Sequence, residues 1–433
     1  MQDFKNGTLV NLSSGGQAKV ISKLGEGGQG AVYKVLMNGK EYALKWYLTS
    51  YIKSMGTNVD RFYSNLQNNV AAGSPSKEFL WPIDVTKKEH GSFGYLMDLY
   101  PSNVKSFSRY LNASVRFKST EAVINATLNM VKAFQALHQK GFSYQDINDG
   151  NFSVDPETGE VLICDNDNVA PYGENFGIGG KSRYMAPEVV LGTSKPNSDT
   201  DAFSLSVVLF MFFFLSHPLE GAKVASCPCL TDKYEKRYYA ESPLFIFDPQ
   251  CADNRPVRGI HNNAIVLWPL FPEYLQEAFI RAFTKGAKDP SERLTEQEWK
   301  KLFYRLQDDM IICPKCGEQL FASMAQKGII TCSDCRHSMQ APLLLCGKNT
   351  SVALSLGKKI SGRSFSGMEE RKIIAEVIAN KKNPALWGLR NLSDMQWLVT
   401  MPDGSRKVIE NDAVTPIFKD IEIEFDGKTL QIK

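Results

Sequence analysis

Between about residues 18 and 100, apolar and polar positions alternate in short runs, with a single helical stretch between them. A period of two predicts strands and hairpins. The run AVYKVLMNGKEYALKWY reads as one hairpin with its turn at Met37–Lys40. The helix lies at about Asp60–Val70, with an apolar edge of Phe62, Leu66 and Val70. From about 120 to 308 the spacing becomes helical, in Glu121–Lys140, Leu205–Leu215 and Glu273–Phe283. Gln307–Cys313 separates that block from a cysteine-rich patch. Beyond about Pro342 the pattern returns to short strands broken by Gly, Asn and Asp, such as Trp397–Met401, Lys407–Ile409 and Ile421–Phe425. The fold class expected is α+β: a two-lobed domain over 15–308, a small metal knuckle over 309–341 and an all-β domain over 342–433.

Composition narrows this picture. Hydrophobic residues make up 43% and charged residues 22%, which is ordinary globular usage and excludes a long disordered chain. The net charge of +3, from 50 basic and 47 acidic residues, gives no reason to expect nucleic acid as a partner. The opening MQDFKNGTLVNLSSGG has no apolar core and does not read as a secretory signal. Leu205–Leu215, the most apolar run, falls short of the ~20 residues of a membrane helix and reads as a buried core helix. Four of the nine cysteines form two Cys-x-x-Cys pairs. Without a secretion signal, that usage favours metal binding over disulfides and a reducing, cytoplasmic location.

The chemistry begins at LGEGGQGAVYKV, where Gly25, Gly27, Gly30 and Val32 fit G-x-G-x-x-G-x-V. Such glycines let backbone N–H groups approach phosphate closely. A dinucleotide-binding turn uses similar glycines but opens a helix, whereas a hairpin follows here. Lys45 lies in the second arm of that hairpin. FSYQDINDGNF then carries Asp146 and Asn151, and VLICDNDNV carries Asp165 at the end of an apolar strand. KSRYMAPEVV, SDTDAFSLSVVLF and DPSERL follow in order.

Together these segments, over about residues 18–308, resemble the eukaryotic-like protein kinases. The resemblance implies a two-lobed protein-kinase fold that moves the γ-phosphate of ATP onto protein hydroxyls, with magnesium as the ion. Gly25, Gly27, Gly30 and Val32 would cover ATP, and Lys45 would contact the α- and β-phosphates. Asp146 would accept the hydroxyl proton, and Asn151 and Asp165 would hold magnesium. Asp201 would tether the catalytic loop, and Arg293 would pair with Glu188 of Met185-Ala186-Pro187-Glu188. The Y-M-A-P-E form suits Ser/Thr kinases better than Tyr kinases.

The pattern is also broken in three places. Tyr144-Gln145 replaces His-Arg, which weakens the case for control by activation-loop phosphorylation. Asn148 stands where Ser/Thr kinases carry a lysine that contacts the γ-phosphate. No glutamate lies between Lys45 and Glu78, so Gln67 or Asp60 is expected to orient Lys45 from the helix, with Gln67 preferred. A second reading is therefore a pseudokinase or phosphopeptide-binding adaptor. The presence of Lys45, Asp146, Asn151 and Asp165 together favours the enzyme.

Cys313, Cys316, Cys332 and Cys335 come as two pairs separated by fifteen residues, a zinc-ribbon spacing. Four thiolates suit a closed, structural tetrahedral zinc, with a redox dithiol or an iron–sulfur centre as alternatives. His337 is not needed as a fifth ligand. Cys164, Cys227, Cys229, Cys251 and Cys346 read as buried or loop thiols. In the tail, SLGKKISGRS, Trp387–Leu392 and the run from Trp397 to Ile432 resemble forkhead-associated domains, β-sandwiches that read phosphothreonine. EERKIIAEVI occupies the region of their usual Ser-x-x-His stretch. Arg363 of Gly362-Arg363-Ser364 is either a phosphate ligand or a surface charge. A plain protein-interaction sandwich is the default reading. The order of kinase, zinc ribbon and forkhead-like tail, with FIFDPQCADNRPV and NPALWGLRNLS, resembles bacterial kinases of tellurium-resistance-type stress systems. That resemblance implies a metal-dependent Ser/Thr phosphatase and a von Willebrand factor A-type protein as partners beside protein substrates. Lys223–Asn263 has no assigned role.

Overall fold

The alternating stretch folds as a six-stranded antiparallel sheet in the order β1-β2-β3-β4-β6-β5. Its strands are β1 Leu9–Asn11, β2 Gln17–Glu26, β3 Gly30–Met37, β4 Lys40–Tyr47, β5 Asp84–Val85 and β6 Gly94–Met97. This computed structural model describes residues 4–175, 180–364 and 372–433. The first three residues of EERKIIAEVI lie outside that set. β3 and β4 pair in register from Gly30↔Tyr47 to Met37↔Lys40. The two residues between them, Asn38 and Gly39, have φ of 50° and 77°. Both must be positive in a two-residue turn that matches strand twist, which is why Asn-Gly stands there.

The expected helix runs over Val59–Ala72 and buries Phe62 and Leu66 against Tyr47, Phe93 and Tyr95, while Val70 is half-buried. Asn65 and Asn69 share its buried face. The later, helical part is built on two long helices. Thr120–Gln139 starts where Ser119 Oγ accepts from Ala122 N. Ser198–Phe214 starts in a reciprocal cap between Asn197 and Thr200. Every residue from Phe203 to Phe214 is buried. The Phe-rich run is therefore a core helix, with Phe212 stacked on Phe107 at 3.8 Å between centroids. Each phenylalanine buried in this way contributes roughly 1.5–3 kcal/mol of transfer free energy. No helix among the described residues is long and apolar enough to cross a membrane.

The chain divides into two compact units, Met1–Leu267 with Glu277–Trp299, and Trp268–Gln276 with Lys300–Lys433. The second unit begins its β structure with two small hairpins, Met310–Ile312 with Gln319–Phe321 and Ile329–Thr331 with Ser338–Gln340. A six-stranded and a four-stranded antiparallel sheet follow, and their core centres on Trp397, Val399, Ile423 and Leu389. Trp397–Thr400, Arg406–Ile409 and Glu422–Phe425 form three of the strands, where the alternating tail predicts them. Lys223–Asn263 holds only short helices, tied down by Asn254, whose side-chain amide donates to Leu219 O at 2.9 Å and Leu244 O at 2.7 Å.

Candidate active site

β4 carries Lys45 opposite Val32 of β3 and Tyr95 of β6. The strand is gripped by two glycines. A Cβ on Gly30 would lie 2.4 Å from Trp46 O, and one on Gly94 would lie 2.1 Å from Lys45 O. Gly30 belongs to the phosphate-loop pattern, but its glycine is required by this contact. A Cβ on Gly25 or Gly27 would instead meet nothing within 4 Å, so the loop between β2 and β3 borders open space. Gln29 at the loop's end accepts from Lys45 Nζ at 2.9 Å.

Lys45 is buried, and its Nζ pairs with Asp167 Oδ2 at 2.8 Å and Asp165 Oδ1 at 3.3 Å. Burial opposes its charge, but the charges of Asp167 and Asp165 outweigh burial and raise its pKa above the ordinary lysine value. Tyr47 donates its hydroxyl to the same Asp167 oxygen at 2.6 Å. Asp165 sits at the end of strand Val161–Ile163 with φ of 52°.

This arrangement corrects the expectation for the helix. Gln67 is exposed, and Asp60 is exposed and paired with Lys88. The buried face presents Asn65 and Asn69, which donate to Val169 O at 2.8 and 3.0 Å. The main counter-charge for Lys45 is Asp167, two residues beyond Asp165. A lysine this buried requires a carboxylate beside it. The second acid of Asp165-Asn166-Asp167 was the signal available in the sequence.

The loop over 143–151 hangs from Asp201. Its carboxylate accepts from Tyr144 N at 2.6 Å and Gln145 N at 3.1 Å. His138, at the end of the Thr120–Gln139 helix, contacts Asp201 at 3.1 Å and Glu296 at 2.7 Å. Burial disfavours charge on the ring, but hydrogen bonds to the two carboxylates outweigh it and hold its pKa at about 9. The ring is therefore an imidazolium that donates from both nitrogens. Tyr144, in the histidine position, donates its hydroxyl to Cys164 O. Gln145, in the arginine position, is buried and donates to Ser143 Oγ at 3.2 Å and to Glu174 O.

Asp146 is half-buried, and burial pushes its carboxyl up to about 6 against the hydrogen bond from Asn148 and the charge of Lys181. Asn148 Nδ2 donates to Asp146 Oδ1 at 3.0 Å, and Asn151 Nδ2 donates to Asp146 O at 2.8 Å. Asn151 O in turn accepts from Cys164 N at 2.8 Å, which joins the loop to the strand end that delivers Asp165. Lys181 Nζ donates to Asn148 Oδ1 at 3.0 Å. Lys45, Asp146, Asn151 and Asp165 thus come together in one polar cluster. Arg293 grips Glu188 with two 2.7 Å hydrogen bonds and also donates to Gly286 O and Asp199 O.

In the second unit, the sulfurs of Cys313, Cys316, Cys332 and Cys335 all lie within 4.8 Å of one another. The Cys313–Cys335 and Cys316–Cys332 separations are 3.7 and 3.6 Å. Tetrahedral zinc with ~2.3 Å bonds requires sulfurs about 3.8 Å apart. His337 is not part of the group. Cys164 lies outside it as well, and burial pushes its thiol up to about 12. Arg363 is not an open phosphate ligand. It bonds Asp308 Oδ1 at 2.9 Å, Ser364 Oγ bonds Asp308 Oδ2 at 2.9 Å, and the guanidinium lies 4.8 Å from the centre of the Tyr304 ring.

The fold and this cluster define a class that comparison with known families shares. The protein kinase domain profile matches residues 18–302, and the chain belongs to the protein kinase family. Among curated proteins it is similar to glycogen synthase kinase 1 of Pyricularia oryzae, at 24% identity over 263 residues. That alignment covers 52% of this chain and 64% of the relative, so the chain spans just under two thirds of the relative's length. Among solved structures it is similar to the PknI kinase domain of Mycobacterium tuberculosis, with a TM-score of 0.44 and 15% identity over 70% of this chain and 99% of that one. A double mutant of that domain gives a TM-score of 0.45 and 17% identity over 70% and 98% of the two chains.

Proposed function

We propose that this chain is a protein kinase that transfers the γ-phosphate of ATP to serine or threonine hydroxyls of proteins, itself included. The observation that carries the reading is the meeting of Lys45 with Asp165 at 3.3 Å, beside a catalytic loop that holds Asp146 and Asn151. The residues fit the nucleotide and its ion. Gly25 and Gly27 border open space, Lys45 offers a buried cation, and Asp165 is only half-buried.

Magnesium-bound ATP would supply the phosphoryl group and neutralise its charge. Lys45 clamps the α- and β-phosphates. Asn151 and Asp165 offer oxygens to the ion. Asp146 orients the substrate hydroxyl and takes its proton, and burial raises its basicity for that task. Glu188 and Arg293 fix the segment that leads substrate to Asp146. Most of the rate enhancement then comes from positioning and charge. The purified chain with magnesium and labelled ATP should label itself on serine or threonine, as mapped by mass spectrometry. Asp165→Ala should abolish that labelling, and an unchanged signal would refute phosphotransfer by this site.

The reading divides the chain into a kinase domain over 15–308, a zinc ribbon over 309–341 and a forkhead-associated-like sandwich over 342–433. Cys313, Cys316, Cys332 and Cys335 would hold structural zinc, a reading that the sulfur spacing supports. The Asp308 contacts of Arg363 and Ser364 favour a protein-interaction sandwich over an open phosphothreonine reader. By its resemblance to tellurium-resistance-type kinases, the protein would work in bacterial stress signalling in the cytoplasm. A metal-dependent Ser/Thr phosphatase and a von Willebrand factor A-type protein would be its partners.

A further inference from the structure

Asp167 is fully buried two residues after Asp165 in VLICDNDNV, and it holds Lys45 more closely than Asp165 does. We infer that Asp167 is the positioning residue that aims Lys45 at phosphate, in place of an acid on the Val59–Ala72 helix, with Tyr47 fixing its carboxylate. This deepens the kinase reading of the same site and rests on it.

Three observations support the assignment. Lys45 and Tyr47 are two residues apart on β4, so both side chains leave the same face and reach one oxygen of Asp167. The side chain of Asp165 is 47% exposed, which leaves it available to an ion, whereas that of Asp167 is 0% exposed and confined to its partners. The helix spends its buried amides on Val169 O, and Gln67 faces solvent. Lys45 is thus oriented by the segment that directly follows Asp165, and among the described residues its charge partners, Asp165 and Asp167, do not come from the helix.

A double-mutant cycle tests this. Phosphate transfer from labelled ATP would be measured in single turnovers for the full chain, Asp167→Asn, Lys45→Ala and the double variant. Asp167→Asn should lower kcat/KM at least a hundredfold. The double variant should be no worse than Lys45→Ala within about threefold, because Asp167 acts through Lys45. Losses that multiply, or an Asp167→Asn variant within threefold of the wild type, would overturn the assignment. Should Asp167→Asn fail to fold, Tyr47→Phe serves, with an expected loss of about five- to tenfold and a folded thermal melt. Full activity in that variant would count against the role. Gln67→Ala should stay within twofold of the wild type, and a tenfold loss would overturn the helix-independent part. A wild type that transfers nothing would refute the kinase reading itself. The same cycle, read as affinity for a fluorescent ATP analogue, would then still decide the part of Asp167.

A different observation assigns Lys181. Asn148 stands where a γ-phosphate lysine is expected, and its Oδ1 is 3.0 Å from Lys181 Nζ. Lys181 also lies 3.8 Å from Asp149 Oδ1, and its side chain is 58% exposed. The geometry points to Lys181 as the cation that meets the γ-phosphate, supplied by the segment before Ala186-Pro187-Glu188 rather than by the catalytic loop. Lys181→Ala should lower kcat at least tenfold while KM for ATP changes less than threefold, and Lys181→Arg should retain most activity. Adding Asn148→Lys to Lys181→Ala should restore kcat to within threefold of the wild type. Unchanged kcat in Lys181→Ala, or no recovery in the double variant, would overturn the assignment.

Discussion

Two ion pairs in the first unit, each with a buried cation, invite comparison. Arg293 and Glu188 meet through two 2.7 Å bonds, and Arg293 spends further donors on Gly286 O and Asp199 O. Lys45 and Asp167 meet through one 2.8 Å bond, and Asp167 Oδ1 is buried with no hydrogen-bond partner among the described residues. The first pair is saturated and fixes a joint. The second retains unspent capacity beside Asp165, whose side chain is half exposed. Buried polar groups left short of partners mark places where the fold has served something besides its own stability. The difference separates a structural pair from a working one.

The sharpest way to break the comparison is at the chemistry. Asp146→Asn should reduce phosphate transfer by a thousandfold or more and leave the melting temperature within a few degrees, as read by radiolabel and calorimetry. The saturated pair should respond the other way. Arg293→Ala strands Glu188 and should cost about 3 kcal/mol of stability. That loss is seen as a melting temperature lower by several degrees, with a smaller effect on transfer per folded molecule. On the proposed zinc reading of Cys313, Cys316, Cys332 and Cys335, a chelator should unfold residues 309–341, because structural zinc supplies ~10–16 kcal/mol of folding free energy. Loss of the knuckle's amide signals in NMR, with the kinase signals unmoved, is the expected result.

A subtler test uses pH. His138 has a folded pKa of about 9, raised above the unfolded value near 6.5 by Asp201 and Glu296. Its contribution is fully present below pH 6.5 and is lost as pH rises through 9. The difference amounts to about 3 kcal/mol. Denaturation at pH 6 and pH 9.5 should show that loss in the wild type but not in His138→Gln. The smallest effect is expected for Gln67→Ala, within about 0.5 kcal/mol in stability, as for an ordinary surface position.

Much of this was readable from the chain. Period-two alternation located the hairpin with its turn at Met37–Lys40, and helical spacing placed Thr120–Gln139 and Glu273–Thr284 within a residue, but the apolar run Leu205–Leu215 marks only the buried part of Ser198–Phe214, whose first turns are polar. Asp201, Arg293 and Glu188 occupy the places that motif order implies: Asp201 binds the backbone of Tyr144 and Gln145, and Arg293 binds Glu188 and the backbone of Gly286 and Asp199. What escaped the sequence depended on burial. Position along the helix favours Gln67, but the helix turns Asn65 and Asn69 inward and Gln67 out. Spacing along the chain does not reveal which of two acids, Asp165 or Asp167, lies in the interior. Arg363 was equally ambiguous, since its partner Asp308 lies fifty-five positions away.

The two glycines flanking β4 carry a last consequence. With Gly30 and Gly94 pressed against the main chain of Trp46 and Lys45, one added methyl on either side would push the ribbon bearing the ammonium group sideways. No rearrangement of side chains could absorb that shove, because the obstacle is peptide carbonyl on both flanks. The pitch of this ribbon is therefore closed to gradual mutational adjustment, and alanine at either site is where a heat-sensitive allele should be sought.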